Sequence, residues 1–266
     1  MKVDLIKGEC LEVMDGLIAL GVKFDAIITD PPYGTTNCKW DSIISFDEMW
    51  KRLNKLIKPK TPILLFGSEP FSSALRMSNI KNYKYDWKWN KTIGGNPLIA
   101  KYRPIGIFED IVVFGKGSIN YNPIMEDADP KNIRPLNTTA KKTDLLAGIK
   151  SGEFKTSNNY NPNKRYPKNE IVISSRTKEC NQVNRLHPTQ KPVELLEYLI
   201  KTYTIEGDLI LDFTMGSGST GIACLNTNRN FIGIELDDAY FETCKNRINT
   251  YINDNNMKDI ELNIAE

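Results

Sequence analysis

Leu209-Ile210-Leu211-Asp212-Phe213-Thr214-Met215-Gly216-Ser217-Gly218-Ser219-Thr220-Gly221 is the stretch that decides the fold. Leu209–Phe213 is a short apolar run that reads as a buried strand, and a helix from Ser219 carries Ile222, Ala223 and Leu225. Between them Gly216, Gly218 and Gly221 form a Gly-x-Gly-x-x-Gly turn. The next strand, Phe231–Glu235, ends on an acid about 20 residues further on. Glycines let a ligand approach the backbone, and an acid in that position hydrogen-bonds ribose hydroxyls. Taken alone, this stretch points to NAD. Only about 45 residues follow the loop, however, too few for the second half of a dinucleotide fold. The N-terminal strands supply the missing sheet if the order is permuted. Val3–Ile6 then lies beside Phe231–Glu235, with Glu9 just past its end, and Asp30 emerges near the same C-terminal rim. A ligand with one nucleoside and a reactive tail fits that rim better than a dinucleotide.

Asp30-Pro31-Pro32-Tyr33 follows the apolar run Ala26-Ile27-Ile28-Thr29. The two prolines donate no backbone hydrogen bonds and fix φ, so the strand stops in a stiff turn. The turn holds a carboxylate and an aromatic ring close together, a receptor for a planar group bearing an NH2. As a bare tetrapeptide it is equally a strand-ending turn around a buried Tyr.

In chain order the pattern is a strand (Val3–Ile6), a helix ending at Gly21, a strand (Phe24–Thr29) and a polar loop, Gly34–Asp41. A helix capped by Ser45 and Glu48 runs through Leu53 and Ile57. A strand (Ile63–Phe66) and a helix (Phe71–Met77) follow. Two further strands, Lys84–Asn90 and Asp110–Phe114, flank a Gly94-Gly95-Asn96-Pro97 turn and form a hairpin. From Gly117 to Leu186 Asn, Lys, Pro, Ser and Thr dominate, a segment too long for a structureless loop. Regular structure returns with the helix Val193–Tyr203 and closes with the helix Asp237–Tyr251. The tail from Asn253 reads as loosely held. The expectation is a mostly parallel α/β sheet with an antiparallel edge hairpin and an inserted region.

The chain has 266 residues, 40% of them apolar, enough for a sizeable core without a metal or disulfide staple. No apolar run approaches the ~18 residues of a membrane span, and the N-terminus has no signal-peptide pattern. Cys10, Cys38, Cys180, Cys224 and Cys244 are scattered and odd in number, which reads as free thiols in a reducing compartment, hence the cytoplasm. One histidine, His187, argues against a zinc site and against a Ser-His-Asp triad; it reads as a turn or packing residue. Net charge is +2, but Lys131–Lys191 holds thirteen basic and four acidic side chains, a net +9, leaving −7 elsewhere. That asymmetry points to phosphates, with a solvated Lys-rich loop as the plain alternative. Lys141, Lys142, Lys164, Arg165, Arg176 and Arg185 are the candidate nucleic-acid contacts.

Together these residues resemble the bacterial and phage amino-group DNA methyltransferases of the β arrangement. In that family an Asp-Pro-Pro-Tyr motif precedes the S-adenosylmethionine loop, with a target-recognition region between them. Asp30–Tyr33 matches the catalytic motif, and His187-Pro188-Thr189-Gln190-Lys191-Pro192 matches the element opening the first cofactor-side helix. Leu211–Gly221 matches the cofactor loop and Phe231–Glu235 the ribose-binding strand. Gly8-Glu9, where the family usually has Gly-Asp, and Trp89-Asn90-Lys91 with Glu109 are weaker matches. One departure stands out: the family commonly reads Asp-Pro-Phe-x-Gly, and here Thr214 holds the aromatic position.

The resemblance implies a Rossmann-like S-adenosylmethionine-dependent methyltransferase fold, with a mostly parallel seven-stranded sheet and a circularly permuted motif order. It divides the chain into a catalytic part (1–116), a target-recognition insertion (117–186) and a cofactor-binding part (187–266). It implies catalytic roles for Asp30, Pro31, Pro32 and Tyr33. It implies cofactor contacts from Glu9, Asp30, Thr189, Lys191, Asp212, Phe213, Thr214, Gly216, Ser217, Gly218 and Glu235, with Thr189 and Lys191 meeting the methionine carboxylate. Gly8-Glu9 also reads as a plain turn. The implied reaction is methyl transfer to N6 of an adenine flipped out of double-stranded DNA, with no metal. The family tends to place Ser first for cytosine-N4 and Asn first for protein amides, so Asp30 favours adenine over cytosine. A nucleotide-binding, non-catalytic DNA regulator is the alternative of another class. A homodimer and a cognate restriction endonuclease are further partners in this reading.

Overall fold

Apolar runs of four to six residues alternate with amphipathic helices, and the computed structural model pairs the runs into a nine-stranded sheet. It describes residues 1–35, 41–94, 98, 100–133, 161–177, 180, 186–187 and 189–266. The strands are β1 (Lys2–Lys7), β2 (Ala26–Thr29), β3 (Ile63–Gly67), β4 (Tyr83–Asn90) and β5 (Phe108–Phe114), then β6 (Glu126–Asp127), β7 (Lys164–Arg165), β8 (Glu170–Val172), β9 (Leu209–Asp212), β10 (Asn230–Glu235) and β11 (Glu261–Ala265). The helices are α1 (Cys10–Ala19), α2 (Phe46–Leu56), α3 (Phe71–Ser78), α4 (Val193–Tyr203), α5 (Ser219–Asn226) and α6 (Asp238–Asp254).

The large sheet runs β11-β1-β10-β9-β2-β3-β5-β4-β8. Its neighbours are parallel except where β5 meets β3 and β4. The permuted order is observed: Val3 pairs with Phe231 and Ile6 with Ile234. The seven strands expected from sequence form its middle, and β11 and β8 extend it at either edge. Two expectations change here. The tail is not loose, because Glu261–Ala265 ladders onto β1, with Leu262 opposite Val3 and Ile264 opposite Leu5. The hairpin is not the edge, because β8 pairs with β4 from Lys88 to Asn90.

Side chains alternate across each strand, so every central strand feeds two cores. Ala26 and Ile28 of β2 pack with Leu195, Leu199, Ala223 and Phe241 of α4, α5 and α6. Ile27 packs on the other face with Met14, Leu53 and Leu75 of α1, α2 and α3. The central strands are buried on both faces, which is why they read as continuous apolar runs. Ser45 stands at the start of α2 but makes no capping bond; Glu48 instead pairs with Arg52 at 2.5 Å, so the expected capping box is not formed. Asp237 does cap α6, accepting from Ala239 N at 2.9 Å and Tyr240 N at 3.0 Å.

The chain divides into two compact units, residues Met1–Asn122 with Asn169–Glu266, and Pro123–Lys168. In the second, β6 and β7 form an antiparallel pair, with Lys164 Nζ 2.6 Å from Asp127. Cys10, Cys224 and Cys244 are buried free thiols, and Cys180 is buried. No helix among the described residues is long and apolar enough to cross a membrane.

Candidate active site

β1, β10, β9 and β2 are parallel neighbours, so the residues just past their C-terminal ends share one rim. A cavity of about 480 Å³ opens there, within the range of small-ligand sites. Glu9, Asp30, Asp212, Gly216 and Glu235 all reach it, as do His187, Thr189 and Lys191 from the segment leading into α4. The sheet order thus joins residues from both ends of the sequence.

Asp30 lies where the two prolines end β2, and both of its oxygens are engaged. Oδ1 accepts from the Tyr33 hydroxyl at 2.5 Å and Oδ2 from Lys191 Nζ at 2.5 Å. The Tyr33 ring stacks on Phe71, 5.0 Å between centroids. Lys191 Nζ also lies 3.4 Å from Glu109 Oε2 of β5, while Glu109 Oε1 accepts from Lys91 Nζ at 3.0 Å. Burial raises the proton affinity of Asp30, the Lys191 charge opposes that rise and the Glu109 charge adds to it; the net direction is up. Burial alone lowers the pKa of Lys191, but Asp30 and Glu109 outweigh it and keep the ammonium charged. Burial pushes Glu109 up, yet Lys191 and Lys91 together hold it below the usual carboxylate value. The Asp30–Lys191 contact had no local sequence signal, because 161 positions separate the two residues.

The glycine loop is fastened to that turn from below. Thr29 donates to Asp212 Oδ1 at 3.1 Å and accepts from Phe213 N at 3.0 Å. Thr220 donates to Asp212 Oδ2 at 2.6 Å, and burial pushes the Asp212 carboxyl up to about 7. Thr214, in the position where the resembled family has a ring, donates its hydroxyl to the Asp30 carbonyl at 3.0 Å. Phe213 is buried in the core on the α1–α3 face. Gly216 and Gly218 have φ of +52° and +76°, and a Cβ on Gly218 would stand 2.5 Å from Cys244 Sγ, so the turn requires glycine there. Arg247 of α6 grips the loop from outside through the Ser217 carbonyl and the Ser219 hydroxyl, each at 3.0 Å.

Glu235 accepts from Gly216 N and Asp237 N, each at 2.9 Å, which aims its carboxylate along the loop. Glu9 caps α1 through Glu12 N at 2.9 Å while bordering the cavity. The Thr189 hydroxyl stands 3.1 Å from His187 Nδ1. His187 packs against Tyr240, 4.1 Å between ring centres, and burial lowers its pKa to about 4. Tyr240, Arg247 and Asp41 were not singled out by sequence. Asp41 accepts from Gly34 N at 2.8 Å and Thr35 N at 2.9 Å, pinning the backbone after the Asp-Pro-Pro-Tyr turn.

The basic candidates fall differently. Arg165 donates to the carbonyls of Pro162 and Lys164, at 2.9 and 2.8 Å, and Lys164 pairs with Asp127. Arg176 is exposed beyond β8. Lys141, Lys142 and Arg185 lie outside the described residues.

The family model of the N6/N4 DNA methylases matches residues 24–246, most of the chain and all of β2 through β10. The chain belongs to the N6/N4 DNA methylase family. This methylase is 29% identical over 243 residues to the type II methyltransferase M.HpaI of Haemophilus parainfluenzae, covering 86% of this chain and 69% of that protein. Its structure matches the crystal structure of the M1.HpyAVI–SAM complex with a TM-score of 0.63 and 26% identity, covering 93% of this chain and 99% of that one. It shares its fold with the PvuII DNA methyltransferase (cytosine-N4-specific), TM-score 0.62 at 16% identity, over 99% of this chain and 95% of that one.

Proposed function

We propose that this methylase transfers a methyl group from S-adenosylmethionine to the exocyclic N6 of an adenine flipped out of duplex DNA. The observation that carries the reading is the union of Asp30 with the cofactor-type loop in one cavity, tied by Thr214 and Thr29. The cavity residues fit this cofactor. Glu235 presents a carboxylate for ribose hydroxyls, Gly216 brings bare backbone to the wall while Gly218, which does not line the cavity, packs its turn against Cys244, and His187 and Tyr240 supply apolar surface. Glu9, Thr189, Asp212, Phe213, Thr214 and Ser217 border the same space. When bound, the cofactor supplies a sulfonium methyl group, an electrophile that leaves a neutral thioether.

The chain's residues act on the amine. The lone pair of an adenine amine is delocalised into the ring, which makes it a poor nucleophile. Asp30 and the Pro31 carbonyl accept its two N–H bonds and return electron density to nitrogen. Pro32 holds the turn rigid, and Tyr33 orients Asp30 and borders the base. Positioning and fixed charge supply the acceleration, and the surplus proton leaves to Asp30 or water. The amine is inside the duplex stack, so the base must be extruded first. The acid at position 30, rather than the Ser of cytosine-N4 enzymes, supports adenine. The basic side chains Lys141, Lys142, Lys164, Arg165, Arg176 and Arg185 hold phosphates. Asp30→Ala is expected to abolish transfer of labelled methyl to duplex DNA while calorimetry still reports cofactor binding; turnover in that variant contradicts the assignment.

A further inference from the structure

We infer that Glu109 is a positioning residue for methyl transfer: it is the second seat of the Lys191 ammonium, which moves there from Asp30 as the target amine arrives. The inference rests on Asp30 being the amine's acceptor, as proposed above. In the structure Lys191 Nζ occupies Asp30 Oδ2 and the Tyr33 hydroxyl occupies Oδ1, so an arriving N–H competes for an oxygen already in use. Lys191 is 7% exposed. An ammonium so placed cannot be released without a partner, because an uncompensated buried charge is strongly unfavourable.

Glu109 provides that partner. Its Oε1 is held by Lys91, but its Oε2 is buried and accepts no hydrogen bond from any described residue. Lys191 Nζ stands 3.4 Å from that oxygen. Closing this gap to the ~2.8 Å of a charge-assisted hydrogen bond lengthens the Nζ contact with Asp30 and begins the transfer without ever leaving the ammonium unpaired. The ring of Phe66 lies 5.1 Å from Nζ and that of Tyr33 5.9 Å, so the ammonium stays beside π faces. The ground-state ion pair with Lys191 also opposes the protonation of Asp30 that burial and Glu109 favour before the base arrives.

The groups facing Asp30 fix the signs. They are Tyr33 on its own turn, Lys191 before α4, Glu109 on β5 backed by Lys91 after β4, and Asp212 at the end of β9. Asp110, next along β5, is already held by Arg76 and Lys88. Removing the Glu109 charge lowers the Asp30 pKa, and removing the Lys191 charge raises it.

The test is the single-turnover rate against pH, using full-length protein, labelled S-adenosylmethionine and genomic duplex DNA from a methylation-deficient host. In Glu109→Gln the rate falls about tenfold, equivalent to ~1.4 kcal/mol. Cofactor affinity stays within about twofold of wild type, a loss confined to the step after binding. The acidic limb of the profile moves to lower pH, whereas in Lys191→Gln it moves to higher pH. Glu109→Asp recovers most of the rate. The double variant Glu109→Gln/Lys91→Met, which deletes a charge pair, repeats the rate loss and the shift if the single variant does not fold. An unchanged rate and limb overturn the inference. So does a rate loss matched by lost cofactor affinity with an unmoved limb, the mark of a purely structural ion pair. Turnover in Asp30→Ala overturns the underlying assignment instead, whatever Glu109→Gln does.

Discussion

Thr214 shows how one substitution can change the wiring of a site. Its hydroxyl ties the glycine loop to the Asp30 carbonyl, a link no phenyl ring could make. A neutral hydrogen bond contributes about 0.5–1.5 kcal/mol net, so Thr214→Val is expected to slow single-turnover transfer roughly fivefold, with Thr214→Ser restoring it. Asp212 makes a pH prediction. Burial pushes its carboxyl up to about 7, so between an unfolded value of 3.8 and that point the folded state binds the extra proton. Stability from this group is therefore full at low pH and lost as pH rises, by up to about 1.4 kcal/mol per pH unit. In denaturant titrations across pH, Asp212→Asn is expected to remove that decline; an identical slope in both proteins contradicts it. His187 is the chain's one histidine, so its NMR titration is unambiguous. Burial lowers it to about 4, and a midpoint near 6.5 would contradict its packing against Tyr240. At this scale the sequence disclosed which residue types face the cavity, because strand ends and glycine turns are local. It did not disclose their partners. Lys191 read as a ligand for the cofactor carboxylate, yet its ammonium sits on Asp30 and beside Glu109, residues from distant strands.

Elements were most legible where burial is two-sided. β2, β3 and β9 are almost wholly buried and announce themselves as apolar runs bounded by turn residues. β11 was missed because Glu261-Leu262-Asn263-Ile264-Ala265 is largely exposed and owes its shape to pairing with β1, from Glu261 opposite Lys2 to Ala265 opposite Ile6. Its removal therefore exposes an edge rather than a core. Truncation after Lys258 is expected to cost about 1–2 kcal/mol in ladder bonds, a melting shift of about 2–8 °C. Cofactor affinity should persist, since β1 keeps its other neighbour β10. Loss of cofactor binding on truncation contradicts an edge role. Helix boundaries were blurred for a different reason: Glu9 rather than a short polar side chain caps α1, and Glu48 turns to Arg52 instead of back to its helix start.

Across the whole molecule, charge and topology divide the labour. The permuted order brings the first strand against the last long one, so one rim collects residues from Gly8 to Tyr240. That order was legible in the motifs, because the Asp-Pro-Pro-Tyr turn precedes the cofactor-type loop in the sequence, and the pairing of β1 with β10 and of β2 with β9 shows it. The segment Lys131–Lys191 carries the excess positive charge, but base readout depends on geometry that composition does not encode. Its contribution is testable through salt. Replacing Lys164 and Arg165 by Gln is expected to weaken DNA binding at every sequence and to flatten the log–log salt slope by about one unit per lost phosphate contact, leaving cofactor affinity unchanged. The central claim, that an acid-led turn beside the cofactor loop methylates adenine, is met most directly by mass spectrometry of nucleosides from duplex DNA incubated with the protein and S-adenosylmethionine. The expected product is N6-methyl-2′-deoxyadenosine, made by the wild type and absent with Asp30→Ala; N4-methyl-2′-deoxycytidine, or no methylated nucleoside from folded, cofactor-binding protein, contradicts it.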